Sequence, residues 1–114
     1  MVSKKTLCTT LAGNSCDMLT ITSTNGKKRS LRKGVVIFAR QHPGETCGSL
    51  MMKGVIDFLL GSSPEAEYLR DNCVFKIVPM VNPDVVIHGN YRCDLAGADL
   101  NRRWKKPKKV GKFD

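Results

Sequence analysis

Between residues 17 and 24 apolar and polar positions alternate, with Leu19 and Ile21 spaced for one face. β-Branched Thr and Ile dominate there, which predicts a half-buried strand. Ahead of it, residues 7–13 form a short apolar stretch closed by Gly13-Asn14, and Asn25-Gly26 follows as a turn. Lys27, Lys28, Arg29, Arg32 and Lys33 then read as a solvated loop. Residues 35–39 are apolar at every position, the pattern of a strand covered on both faces. Next, Cys47, Leu50, Met51, Val55, Phe58 and Leu59 recur at helical spacing while Lys53 and Asp57 fall elsewhere. An amphipathic helix over 46–60 is predicted, with Cys47 and Met51 on its core face.

Gly61 ends that helix, and Ser63-Pro64-Glu65 starts a second one running to about Asp71, with Ser63 as cap and Pro64 at the first helical position. Residues 73–80 form a further strand, stopped at Asn82-Pro83-Asp84; residues 85–97 read as irregular structure. The order strand, strand, helix, helix, strand predicts an α/β fold, a helix-flanked mixed sheet. A crossover through the helices makes the two later strands parallel neighbours, so that His42–Glu45 and Asn82–Asp84 share one sheet edge.

That edge carries the candidate chemistry. A strand feeds into the Pro43-Gly44 turn, which is flanked by an imidazole and a carboxylate, His42 and Glu45. Ligands gather at the carboxyl ends of strands in open α/β sheets, and zinc takes His nitrogen and Glu oxygen together. Taken alone, the same pair also reads as a surface histidine beside an acid at a helix N-terminus. Downstream lie Asn90-Tyr91-Arg92 and residues 97–104. Arginines near a zinc can pair with a carboxylate or stabilise a developing oxyanion, and Asn101 beside Arg102 suits a terminal carboxylate. The plainer readings make Asn90 and Asp99 turn residues, Trp104 a packing residue, Arg103 a solvated cation and His88 a surface histidine.

Composition narrows the partners. The net charge is +9, from 19 Lys and Arg against 10 Asp and Glu, which favours acidic partners. The basic tail carries little aromatic interleaving, only Trp104 and Phe113, so no specific nucleic-acid partner is expected. Cys8, Cys16, Cys47, Cys73 and Cys93 lack the paired spacing of a zinc finger and read as free thiols in a reducing setting. No apolar run approaches a membrane span, so no membrane partner is expected.

His42-Pro-Gly-Glu45, Asn82-Pro-Asp84, Gly89-Asn-Tyr-Arg92 and Asp99-Leu-Asn101-Arg102, in this order and with these gaps, resemble the zinc metallocarboxypeptidases. The subgroup they look most like is the cytosolic carboxypeptidases, many of which trim glutamates from tubulin tails and other acidic proteins. The resemblance implies His42 and Glu45 as zinc ligands, Arg92 as the group that polarises the scissile carbonyl, and Asn101 and Arg102 as binders of the substrate's terminal carboxylate. It further implies Zn2+ as cofactor, a protein or peptide substrate with an acidic C-terminus such as tubulin, and a cytoplasmic, microtubule-associated setting. The family's third zinc ligand and general-base Glu lie further downstream. Residues 1–104 are therefore expected to form the N-terminal half of a catalytic domain, truncated and catalytically incomplete, followed by a basic tail over 105–114. Such a half sheet would leave an apolar edge and face exposed. The family usually has Gly where Val85 stands; if that Gly served a positive φ, the turn here is rebuilt. A second reading is a non-catalytic module that holds acidic tails at Arg92, Asn101 and Arg102.

Overall fold

The computed structural model describes residues 1–106. Strands β1 (Val2–Thr9), β2 (Ser15–Ile21), β3 (Lys33–Phe38) and β4 (Cys73–Val78) form one mixed sheet in the order β1-β2-β4-β3. Helices α1 (Cys47–Leu60) and α2 (Pro64–Asn72) connect β3 to β4, and a third helix, α3 (Pro83–His88), follows β4. β1 pairs antiparallel with β2, β2 antiparallel with β4, and β3 parallel with β4. The α/β architecture and the parallel placement of the two later strands are as the sequence predicts.

Period-two alternation builds the sheet side of the core. Leu19 and Ile21 on β2, Val35 and Ile37 on β3, and Phe75 and Ile77 on β4 pack together, with Ile21 and Ile77 fully buried. Met52, Val55, Ile56 and Leu59 of α1 complete the cluster. Fully burying one such side chain stabilises by about 1.5–3 kcal/mol. Arg70 of α2 is buried behind them and donates to Leu59 O and Gly61 O, both at 2.7 Å, satisfying carbonyls at the end of α1. Ser63 Oγ caps α2 by accepting from Ala66 N, as its position before Pro64 predicts.

Four expectations are corrected. Residues 2–9 are a strand, β1, where the sequence shows only a short apolar stretch from residue 7; its side chains are exposed, so no alternation marks it. β3 is not covered on both faces: Val36 is 69% exposed and Phe38 44%, because among the described residues only the face toward α1 is packed. The buried stripe of α1 runs through 52, 55, 56 and 59, so Cys47 and Met51 lie outside the core; Met51 and Leu50 are each 72% exposed. Finally, residues 83–88 are helical rather than irregular. Pro83 in the first turn, Asp84 behind it and Gly89 at φ 88 as the left-handed cap are the start and stop signals of α3.

Val85 sits inside α3, fully buried, and needs no rebuilt turn. Asp84 beside it ties α3 to the β1–β2 loop, accepting from Thr10 Oγ1, from Asn14 Nδ2 at 2.9 Å and from Ala12 N at 3.1 Å. Burial pushes the Asp84 pKa up, but these three donors outweigh it and hold it below the ordinary 3.8. Lys105 and Lys106 of the expected basic tail are exposed, and its positions 107–114 lie outside the described residues.

Candidate metal centre

The parallel pairing of β3 and β4 brings their two polar turns together. Ala39 N donates to Val78 O, Val81 N returns to Ala39 O at 2.9 Å, and Asn82 N reaches Arg40 O at 3.2 Å. The buried Asn82 amide then donates to Gln41 O and Cys93 O, at 3.4 and 3.5 Å. Arg40 turns the chain out of β3 at φ 54, the one positive value outside glycine among the described residues. Its guanidinium braces that turn, with Nη2 donating to Pro43 O at 2.8 Å and Nη1 to Ser49 Oγ at 2.9 Å. Gly44 is required by a close approach: a Cβ there would lie 2.1 Å from Cδ2 of Tyr91, and Gly44 N donates to Tyr91 O at 2.7 Å.

On this frame His42 is buried and stands between two carboxylates. Its Nδ1 is 3.2 Å from Glu45 Oε1, and its Nε2 is 3.0 Å from Asp99 Oδ1. Asp99 is the hub. Its Oδ2 accepts from Arg92 Nε at 2.8 Å, and its Oδ1 also accepts from Asn101 N at 3.0 Å. The bond with His42 is the main cause that holds the Asp99 pKa down, to about 2; burial opposes it, and Arg92 and the Asn101 amide add to the lowering.

The donor set suits zinc at one corner. With its proton on Nε2, facing Asp99, a neutral His42 ring presents the Nδ1 lone pair on the Glu45 side. A carboxylate behind a ligating imidazole is the arrangement that fixes tautomer and ring orientation at metal sites. Two donors bound about 2.1 Å from a tetrahedral zinc stand about 3.4 Å apart, close to the 3.2 Å between His42 Nδ1 and Glu45 Oε1. Among the described residues no group of three His, Cys, Asp or Glu is placed to hold a metal. His88 is exposed at the end of α3.

The structure therefore brings His42, Glu45 and Arg92 into one network and adds Asp99, which sequence reasoning leaves as a turn residue. Asp99 does cap the short 3-10 turn Leu100–Arg102, and the same side chain carries the His42 contact. Asn101 joins through its backbone, while its side-chain Oδ1 accepts from Trp104 Nε1 at 3.2 Å. Arg102 and Arg92 are exposed, Arg92 with only Nε engaged among the described residues. Trp104 packs its ring on Phe38 at 5.3 Å between centroids, though 60% exposed, and Arg103 is half-buried rather than fully solvated. A cleft of about 340 Å³ between the end of β3 and α1 runs beside Glu45.

An α/β sheet with a His-x-x-Glu turn at its carboxyl edge, backed by a carboxylate and an arginine, is the architecture of a metallocarboxypeptidase. The chain belongs to the zinc carboxypeptidase family, whose model matches residues 1–112. It is 59% identical over 103 residues to cytosolic carboxypeptidase 2 of Xenopus tropicalis and 56% identical over 103 residues to cytosolic carboxypeptidase 2 of Homo sapiens. Each alignment covers 89% of this chain and 11% of the relative, so the chain spans about a tenth of their length. Among solved structures it resembles a metallo-carboxypeptidase from Burkholderia cenocepacia, with a TM-score of 0.85 and 38% identity over 94% of this chain and 29% of that one. A metallo-carboxypeptidase from Pseudomonas aeruginosa, in complex with (2-guanidinoethylmercapto)succinic acid, gives a TM-score of 0.79 at 30% identity, covering 92% of this chain and 28% of that one.

Proposed function

We propose that this chain forms the N-terminal part of the catalytic domain of a zinc-dependent carboxypeptidase. Its substrates would be acidic proteins such as tubulin, from which it removes C-terminal residues, glutamate in particular, in the cytoplasm and at microtubules. The observation that carries this reading is His42 held between Glu45 and Asp99 at the strand end. Zinc bound by His42 and Glu45 would supply Lewis-acid polarisation of the scissile carbonyl.

The chain's own residues have distinct tasks in this reading. Asp99 fixes the His42 ring so that Nδ1 faces Glu45, and through Nε it also anchors the Arg92 guanidinium. The remaining Arg92 nitrogens are left to meet a carbonyl oxygen as negative charge develops on it. Arg102, exposed on the 3-10 turn, and the Asn101 amide receive the terminal carboxylate; a net charge of +9 favours an acidic tail behind it. Two donors hold zinc weakly and the described residues offer no third, so on its own the 114-residue chain is proposed to be catalytically incomplete. The same observation favours the second reading, a module that grips acidic C-terminal tails at Arg92, Asn101 and Arg102 without cleaving them.

Incubating the chain with zinc and a peptide ending in glutamates, then measuring released glutamate and peptide binding, separates the two. Release that is lost in His42→Ala supports the enzyme. Binding without release, dependent on a free C-terminal carboxylate and lost in Arg102→Ala, supports the module. Salt-sensitive binding of any polyanion, indifferent to the free C-terminus, contradicts both.

A further inference from the structure

Two thiols face each other across the β1–β2 hairpin, away from the His42 network. Cys8 and Cys16 are direct partners in the antiparallel register, next to an irregularity between Thr6 and Cys8. Directly opposed residues on antiparallel strands have Cα atoms about 4.5–5.5 Å apart and side chains on one face. That spacing lies inside the range of about 4.4–6.8 Å over which a disulfide closes without backbone movement. Both thiols are free; Cys8 is exposed and Cys16 is buried. Cys16 Sγ donates to Met80 O at 3.5 Å. Burial, and behind it the neighbouring Cys8 thiol, raises the Cys16 pKa to about 11, so the inner sulfur carries its proton in the reduced pair.

We propose that Cys8 and Cys16 form an oxidative modification site, at which a peroxide joins the two facing thiols into a disulfide across the hairpin. The exposed Cys8 sulfur attacks the peroxide oxygen, the O–O bond breaks, and Cys8 becomes a sulfenic acid as one water leaves. Cys16 then attacks the Cys8 sulfur, forming the S–S bond and expelling a second water, which carries off the Cys16 proton. Two thiols are oxidised and one hydrogen peroxide is reduced to two waters. The buried partner resolves the sulfenic acid before further oxidation, and its burial leaves Cys8 as the sulfur of the pair that meets the peroxide.

The cross-link alters a contact that reaches toward the metal centre. A disulfide sulfur has no hydrogen to donate, so Met80 O loses its bond from Cys16. Met80 stands two positions before Asn82, whose backbone and amide hold the Arg40 and Gln41 carbonyls. The hairpin's oxidation state is thereby connected to the wall of the His42 turn.

The test treats the full chain with stoichiometric hydrogen peroxide under native conditions, alkylates it and maps the cysteines by mass spectrometry after cleavage at Leu11, which separates Cys8 from Cys16. The expected product has lost two hydrogens, and its Cys8 and Cys16 fragments stay joined until a reductant is added. Cys8→Ser, a change at an exposed position, should abolish that product; Cys16→Ala should leave a Cys8 sulfenic acid that a dimedone probe captures. Denaturing the chain first should scatter the pairing among all five cysteines. Native oxidation that joins other cysteines, or that carries Cys8 to sulfinic acid while Cys16 stays free to alkylate, would overturn the proposal.

Discussion

Removing the Asp84 carboxylate tests whether α3, and with it the Asn82 turn, is anchored to the β1–β2 hairpin. Asp84 accepts from Thr10 Oγ1, Asn14 Nδ2 and Ala12 N, and the side chain is buried. A hydrogen bond to a charged group contributes about 1.5–3 kcal/mol, so three would sum to more than 4 kcal/mol if nothing replaced them. The donors sit in a loop partly open to water and regain solvent bonds, which cuts the loss to about 2–4 kcal/mol for Asp84→Ala. Asp84→Asn keeps an acceptor oxygen without the charge and should lose about half as much. Urea unfolding followed by circular dichroism reads both. The pH dependence has a fixed sign. The folded pKa lies below the ordinary 3.8, so the charge contribution is complete above pH 3.8 and disappears as pH falls from there through the folded value. Wild-type stability should converge on that of Asp84→Asn in that acid window. An Asp84→Ala chain within about 0.5 kcal/mol of wild type at neutral pH would refute the anchoring role.

Further perturbations probe the parts of the site separately. Gly44→Ala drives a methyl into the Tyr91 ring and should cost about 1–3 kcal/mol, with nuclear magnetic resonance shift changes concentrated at Tyr91 and Arg92. Val85→Gly, which restores the glycine usual in the family, should destabilise by about 2–4 kcal/mol, because it empties a fully buried position and loosens α3; a neutral effect in urea unfolding would deny that helix its packing role. Asp99→Asn keeps a side-chain oxygen to accept from Asn101 N but weakens the grip on the His42 ring, and isothermal titration should show zinc affinity lower by about 10–100-fold.

Local rules expose most of the architecture in the sequence. The alternation at Leu19 and Ile21, the apolar run before Arg40 and the Ser63-Pro64 cap each mark an element by its own chemistry, and the crossover places the His42 and Asn82 turns together. What stays hidden depends on neighbours. β1 is recruited by pairing with β2 and shows no buried face, so its sequence carries no periodicity to read. The α1 stripe has Leu50 and Met51 beside Met52 and Val55, and composition alone cannot tell which of two adjacent apolar faces meets the sheet. Asp99 is legible as a cap and illegible as the partner of His42, because that contact spans 57 residues. α3 carries start and stop signals at Pro83, Asp84 and Gly89, but six residues are too few to show a helical period, so the segment reads as irregular from the sequence.

His42 and Glu45 are proposed to form a zinc-binding corner. It is tested most directly by titrating zinc into the chain against a competing chromophoric chelator, wild type beside His42→Ala, Glu45→Ala and His88→Ala. Weak one-to-one binding is expected in wild type, unchanged by His88→Ala and lost in both His42→Ala and Glu45→Ala. Zinc binding that survives the loss of His42 and of Glu45 would contradict it.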